Sequence, residues 1–134
     1  MILVDTSVLI GYFKGRRGYP FDLLDEFIDH NIPFGLNNYI YQEVLQGVRT
    51  EKEFQRLKEY LDTLLFYELL NGRRSYEAAA CLYFKCRQAG YTIRSTIDFL
   101  IVQTALENNL YLLHDDKDFT NIARVIKELK IYKL

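Results

Sequence analysis

Asp5, Glu43, Asp98 and Asp116 are the side chains whose type and setting could do chemistry together. Asp5 follows the apolar run Met1-Ile2-Leu3-Val4, and Glu43 directly precedes Val44 on a helical stripe that includes Ile40. Asp98 opens a segment that continues Phe99-Leu100-Ile101-Val102, and Asp116 closely follows Leu110 to Leu113. A charge in such surroundings is costly unless compensated. Carboxylates gathered within several ångströms also repel and raise one another's pKa. A divalent cation resolves the conflict. Oxygen donors alone, with no cysteine or histidine in the pattern, indicate a hard ion, Mg²⁺ or alternatively Mn²⁺. Hydrolysis of a phosphodiester fits such a centre, because the ion polarises the phosphate while a free carboxylate orients or deprotonates water.

Each position also has a structural explanation. Asp5 and Asp116 close predicted strands and can cap the helices that follow. Ser95 and Asp98 have the spacing of a capping box, and a negative charge suits a helix N-terminus. Glu43 can simply border a buried face. Coincidence at all four positions is harder to accept than at one.

The elements that must carry these groups alternate along the chain. Met1 to Val4 reads as a strand buried on both faces, of the kind found in parallel sheets. Thr6 and Ser7 supply cap chemistry for a short helix, Val8 to Lys14, that breaks at Gly15 to Gly18. A second helix is expected from Pro20 to Asp29, a strand from Ile32 to Leu36, and a helix capped by Asn37 or Asn38 that carries Ile40, Val44 and Val48. Further helices are expected over Glu51 to Asp62, with Phe54, Leu57 and Leu61 as its buried stripe, and over Tyr76 to Ala89. A strand at Leu64 to Leu70 and a turn at Asn71-Gly72 separate those two. Thr96 to Asn109 is the most apolar helix, followed by a strand at Leu110 to Leu113, a helix near Phe119 to Leu129 and a last strand from Ile131. Strands separated by helices predict crossover units and an α/β architecture with the sheet between helical layers. The ends of the first and fourth strands then share one edge, where parallel sheets bind ligands.

Length and composition narrow the class. A chain of 134 residues, 49% of them hydrophobic, is the size of a single domain. No apolar stretch approaches the ~20 residues of a membrane span, and Asp5 interrupts any secretory signal, so a cytoplasmic protein is expected. Cys81 and Cys86 fall on one predicted helix about 7.5 Å apart, beyond the ~7 Å that a disulfide spans, and are expected to be reduced, buried thiols. His30 and His114 are far apart in sequence and do not make a zinc pattern with them. The net charge of −1 lacks the basic excess of a typical nucleic-acid binder. If several carboxylates surround a cation, however, the remaining surface is net basic, and Arg16, Arg17, Arg73, Arg74, Arg94 and Lys117 become candidates to meet phosphates. Aromatic residues, 11 tyrosines and 9 phenylalanines, mostly fit helix and strand faces as core.

Three stretches resemble the PIN-domain ribonucleases, and specifically the VapC toxins of prokaryotic toxin–antitoxin pairs. They are Met1 to Ile10 with Asp-Thr-Ser-Val-Leu-Ile, Gln42 to Gly47, and Ser95 to Ala123 through Leu112-Leu113-His114-Asp115-Asp116-Lys117-Asp118-Phe119. The resemblance implies a three-layer α/β/α sandwich with a mostly parallel sheet. It implies that Asp5 and Asp98 are the principal Mg²⁺ carboxylates, Glu43 the helical acidic residue and Asp116 the fourth, with Thr6 as supporting hydroxyl. Among the later acidic positions Asp116 is favoured, then Asp118. A Mg²⁺-dependent endoribonuclease toxin follows, with RNA as substrate, a VapB-like antitoxin as partner and a homodimer as assembly. Arg94 and Lys117, adjacent to two of the motifs, are candidates to guide the phosphate backbone, although each alone reads as solvated surface charge. The rival is a non-catalytic PIN-like scaffold that binds RNA or protein, against which the presence of all four acidic residues speaks. A haloacid-dehalogenase-type phosphatase needs an aspartate where Ser7 stands, and a receiver domain needs an early acidic pair that is missing.

Overall fold

The computed structural model describes residues 1–133. Strand β1 (Ile2–Val4) leads into α1 (Thr6–Phe13) and α2 (Phe21–Asp29), and β2 (Gly35–Leu36) into α3 (Asn38–Gln46) and α4 (Glu51–Leu61). β3 (Leu65–Phe66) precedes α5 (Arg73–Gln88) and α6 (Thr96–Glu107); β4 (Tyr111–Leu113), α7 (Lys117–Val125) and β5 (Lys130–Ile131) complete the order. The strands form one sheet in the order β3-β2-β1-β4-β5, every pairing parallel, and the helices flank it as an α/β/α sandwich.

β1 is central because its Ile2, Leu3 and Val4 are all buried, as a strand covered on both faces requires. From β1 the chain builds outward through β2 and β3 on one side, then returns to place β4 and β5 on the other. The strand order therefore reverses between β1 and β4, where a crevice opens beyond the strand ends. In-register pairing of Val4 with Leu113 brings both strands to that edge together. Leu24, Phe27, Ile101, Phe99 and Phe119 fill the core against the sheet.

Several expectations are corrected. The edge strand β3 keeps only Leu65 and Phe66 of the expected Leu64 to Leu70, and both are exposed, consistent with the short edges that parallel sheets tolerate. Pro33 lacks a donor for the sheet ladder, and β2 begins only at Gly35. α1 starts at Thr6, ahead of the expected Val8, because Asp5 and not a hydroxyl residue caps it. α3 ends at Gln46, short of Val48. α5 starts at Arg73, ahead of the expected Tyr76, so Arg73 and Arg74 lie in its first turn. α7 starts at Lys117 and stops at Val125, where Ile126 turns extended (φ −96°, ψ 92°); this lets Ile126 and Leu129 reach the core before β5. On α4 only Leu61 is fully buried and Phe54 is exposed, because that helix lies at the periphery. Cys86 is buried, but Cys81 faces outward on α5; both are free thiols.

Candidate active site

Asp5 stands at the end of β1, with its amide donating to Leu113 O of β4 at 2.9 Å. It is only 4% exposed, and its carboxylate accepts from the Ser7 amide at 3.1 Å and the Ser7 hydroxyl at 2.6 Å. Asp5 is thus the N-cap of α1, and its charge also acts on Asp98. The Ser7 hydroxyl in turn accepts from the Asp115 amide at 3.0 Å, which ties the loop after β4 to the loop after β1. Ser7, expected from the sequence only as cap chemistry for α1, instead holds the Asp5 carboxylate, and its place two residues after Asp5 was the available signal.

Glu43 projects from α3 and is half-buried, and the Thr6 hydroxyl donates to its Oε1 at 3.0 Å. Asp98 lies in the first turn of α6. The capping-box explanation for it does not hold, because Ser95 occupies the cap position without a side-chain hydrogen bond. Asp116 does cap its helix, accepting from the Asp118 amide at 2.9 Å. One oxygen of that carboxylate is engaged there, and the other is left for a ligand. Carboxylate oxygens of Asp98, Asp116 and Asp118 all lie within 4.8 Å of one another. Of the two later aspartates, Asp118 is half-buried and Asp116 exposed, and both join the cluster.

Electrostatics link the remaining members. Burial pushes the Asp98 carboxyl up to about 7, and the negative charges of Asp5, Asp116, Asp118 and Glu43 add to the effect. Asp5 is raised to about 6 by burial, against the lowering influence of its hydrogen bonds to Ser7, with Glu43 raising it further. Among the described residues no cation pairs with any of these five groups; the nearest ion pair joins Arg16 to the neighbouring Asp115 at 3.6 Å. His114 is half-buried, and its Nδ1 accepts from the Asp116 amide at 3.2 Å. Burial lowers its pKa and favours the neutral ring. The donor set is therefore oxygen alone, crowded and uncompensated, which fits a hard divalent ion. Arg94 and Lys117 are both exposed, Arg94 just ahead of α6 and Lys117 between the two later aspartates.

A family profile described as PIN domain matches residues 2–125. Ribonuclease VapC11 of Mycobacterium tuberculosis is 30% identical over 129 residues, covering 93% of each chain, and the VapC ribonuclease Mb1587 of Mycobacterium bovis matches to the same extent. Among solved structures, VapBC2 from Rickettsia felis, bound to a DNA fragment from its promoter, superposes with a TM-score of 0.73 at 18% identity, over 100% of this chain and 99% of that one. VapBC-1 from nontypeable Haemophilus influenzae gives 0.72 at 20% identity, over 99% and 98%. No helix among the described residues is long and apolar enough to cross a membrane. Sequence profile, relatives and sheet topology agree: the chain belongs to the PIN-domain family, in its VapC branch.

Proposed function

We propose that this protein is a Mg²⁺-dependent endoribonuclease acting as the toxin of a toxin–antitoxin pair, with residues 1–134 working as one cytoplasmic PIN domain. The observation that carries the reading is the gathering of the Asp98, Asp116 and Asp118 carboxylates within 4.8 Å of one another with no paired cation among the described residues; the charges of Asp5 and Glu43 also act on Asp98. Asp5 and Asp98 hold the ion, Mg²⁺ or Mn²⁺, with Asp118 beside them. A divalent cation there supplies charge neutralisation and Lewis-acid polarisation of the scissile phosphodiester.

The chain's own groups do the rest. Ser7 fixes the Asp5 carboxylate through two hydrogen bonds, so that its geometry is set before any ligand arrives. Thr6 holds Glu43 in the same way. Glu43 and Asp116, less enclosed than Asp5, complete the shell or accept the proton of the attacking water. Arg94 and Lys117 steer the RNA backbone toward the cluster. The relatives are named as VapC ribonucleases, and the structural neighbours as VapBC complexes, which supports a VapB-like antitoxin as partner. A homodimer is proposed on the same resemblance.

The test is cleavage of total cellular RNA by the purified protein with Mg²⁺, with EDTA, and after Asp98→Asn. Cleavage should require the ion and vanish in the variant while its circular dichroism stays that of the parent. RNA bound but left intact by the parent in Mg²⁺ and in Mn²⁺ would favour the non-catalytic scaffold instead.

A further inference from the structure

A second feature lies beside the acidic cluster and carries the opposite charge. A cavity of about 690 Å³ is lined by Tyr19, His114, Thr120, Arg124, Lys127 and Lys133, among others. Three of its lining residues are cationic and none is acidic. Arg124, Lys127 and Lys133 are all exposed, and none forms an ion pair among the described residues. In a chain with net charge −1, this concentration of unpaired positive charge in one concave place is the counterpart of the carboxylates gathered at the strand ends.

Position along α7 connects the two. Asp116 caps the helix and Asp118 sits in its first turn, while Thr120, Ala123 and Arg124 line the cavity from its following turns and Lys127 just beyond its end. From Asp116 to Arg124 the helical rise amounts to about 12 Å, a few nucleotides of extended strand. His114 joins both regions, lining the cavity while its Nδ1 accepts from the Asp116 amide. A strand whose scissile phosphate lies at the acidic cluster is repelled by it unless cations intervene, so affinity has to come from elsewhere. Arg and Lys neutralising backbone phosphates supply affinity of that kind without reading sequence.

We infer that this cavity binds the phosphate backbone of the RNA strand flanking the cleaved bond, with Arg124 and Lys127 as phosphate contacts and Lys133 in support. The inference rests on RNA being the substrate, as proposed above, and is tested separately from cleavage. The probe is a short single-stranded RNA titrated against Asp98→Asn protein in EDTA over a series of NaCl concentrations. Replacing Arg124→Gln and Lys127→Gln together should weaken binding and flatten the slope of log affinity against log salt by about 1.4, that is, two contacts at ~0.7 each. The control pair Lys52→Gln and Arg56→Gln, on the exposed surface of α4, should leave affinity and slope unchanged. Thermal melting verifies that both double variants are folded.

An unaltered slope in the Arg124/Lys127 variant overturns the inference, whether or not the parent cleaves RNA. Loss of binding to poly-L-glutamate with RNA binding intact also overturns it, because the cavity then takes an acidic polypeptide. A flattened slope in a protein that never cleaves RNA would uphold the cavity's role and reject the catalytic reading.

Discussion

Thr6 and Glu43, 37 positions apart, are joined by a hydrogen bond of 3.0 Å from the Thr6 hydroxyl to Glu43 Oε1. The bond links the first turn of α1 to α3 and fixes the glutamate whose charge acts on Asp5 and Asp98. Removing a partner that orients a ligating carboxylate typically lowers metal affinity or activity about 10- to 100-fold. Thr6→Val keeps the shape and deletes the donor, so RNA cleavage should fall within that range. Thr6→Ser should restore most of it. Equal cleavage rates for parent and Val variant at limiting Mg²⁺ would show that Glu43 needs no such support.

The raised carboxyls give the stability a pH dependence that an ion should abolish. Asp5 and Asp98 titrate near 6 and 7 in the folded chain, against 3.8 for an ordinary aspartate. Between those limits the folded state binds more protons than the unfolded one, so stability falls as pH rises through this window. An ion that binds only the folded cluster offsets the loss. The melting temperature without metal should therefore be lower at pH 8 than at pH 5, and the increase on adding Mg²⁺ should be larger at pH 8. Asp98→Asn removes one of the repelling charges, so the metal-free variant should melt above the parent at pH 8. Parallel melting curves at both pH values, with and without Mg²⁺, would rule this linkage out.

Asn37 joins scaffold to site in another way. Its Oδ1 accepts from the Ile40 amide at 2.9 Å to cap α3, and its Nδ2 donates to Thr104 Oγ1 of α6 at 3.1 Å, all in buried surroundings. The helices it bridges carry Glu43 and Asp98. Losing a cap costs about 1 kcal/mol, and losing a buried hydrogen bond adds about 1 kcal/mol more. Asn37→Ala should lower unfolding stability by about 2 kcal/mol in denaturant titrations, whereas Asn37→Asp, which keeps the cap but loses the donor, should destabilise by setting a buried carboxylate against the Thr104 oxygen, whose own proton goes to Leu100 O at 2.8 Å.

How far the sequence led depended on how local the cause was. The parallel α/β architecture was legible because hydrophobic runs and helical spacing report burial residue by residue, as in Ile2-Leu3-Val4 and the stripe through Ile40 and Val44. The shared edge of β1 and β4, whose ends carry Asp5 and the loop to Asp116, followed from the rule that parallel strand ends share an edge. Less legible were effects set by distant neighbours. Gly35 leaves no room for a side chain, since a Cβ there would lie 2.6 Å from the Leu65 carbonyl oxygen and from the Tyr67 ring, and nothing local to Gly35 announces that approach. Cys81 faces outward because α5 buries Ala79, Leu82 and Cys86 instead, a choice of helix phase that an Ala-Ala-Ala-Cys run leaves open. Ser95 and Asp98 had the letters of a capping box, yet the Ser95 side chain makes no cap hydrogen bond, so pattern alone pointed the wrong way. The basic cavity joins Tyr19 to residues more than ninety positions later, beyond the reach of any motif.

Asp116 caps α7 and also belongs to the acidic cluster, and substitution can separate the two. One of its oxygens accepts from the Asp118 amide at 2.9 Å and caps α7, while the carboxylate as a whole lies in the cluster with Asp98 and Asp118. Asn and Ser are also effective caps, so Asp116→Asn removes the charge and keeps the helix start. It should weaken Mg²⁺ binding, read by the ion's effect on melting temperature, with little change in metal-free stability. Asp116→Ala should lose both, unfolding about 1 kcal/mol more easily as well. Asp118→Asn tests the competing assignment, since Asp118 is the more enclosed of the two and caps nothing. If Asp118→Asn abolishes the response to Mg²⁺ while Asp116→Asn preserves it, Asp118 is the ligand and Asp116 is the cap alone. The opposite result makes Asp116 the ligand, and equal partial losses would mean that the ion draws on both carboxylates from the same helix turn.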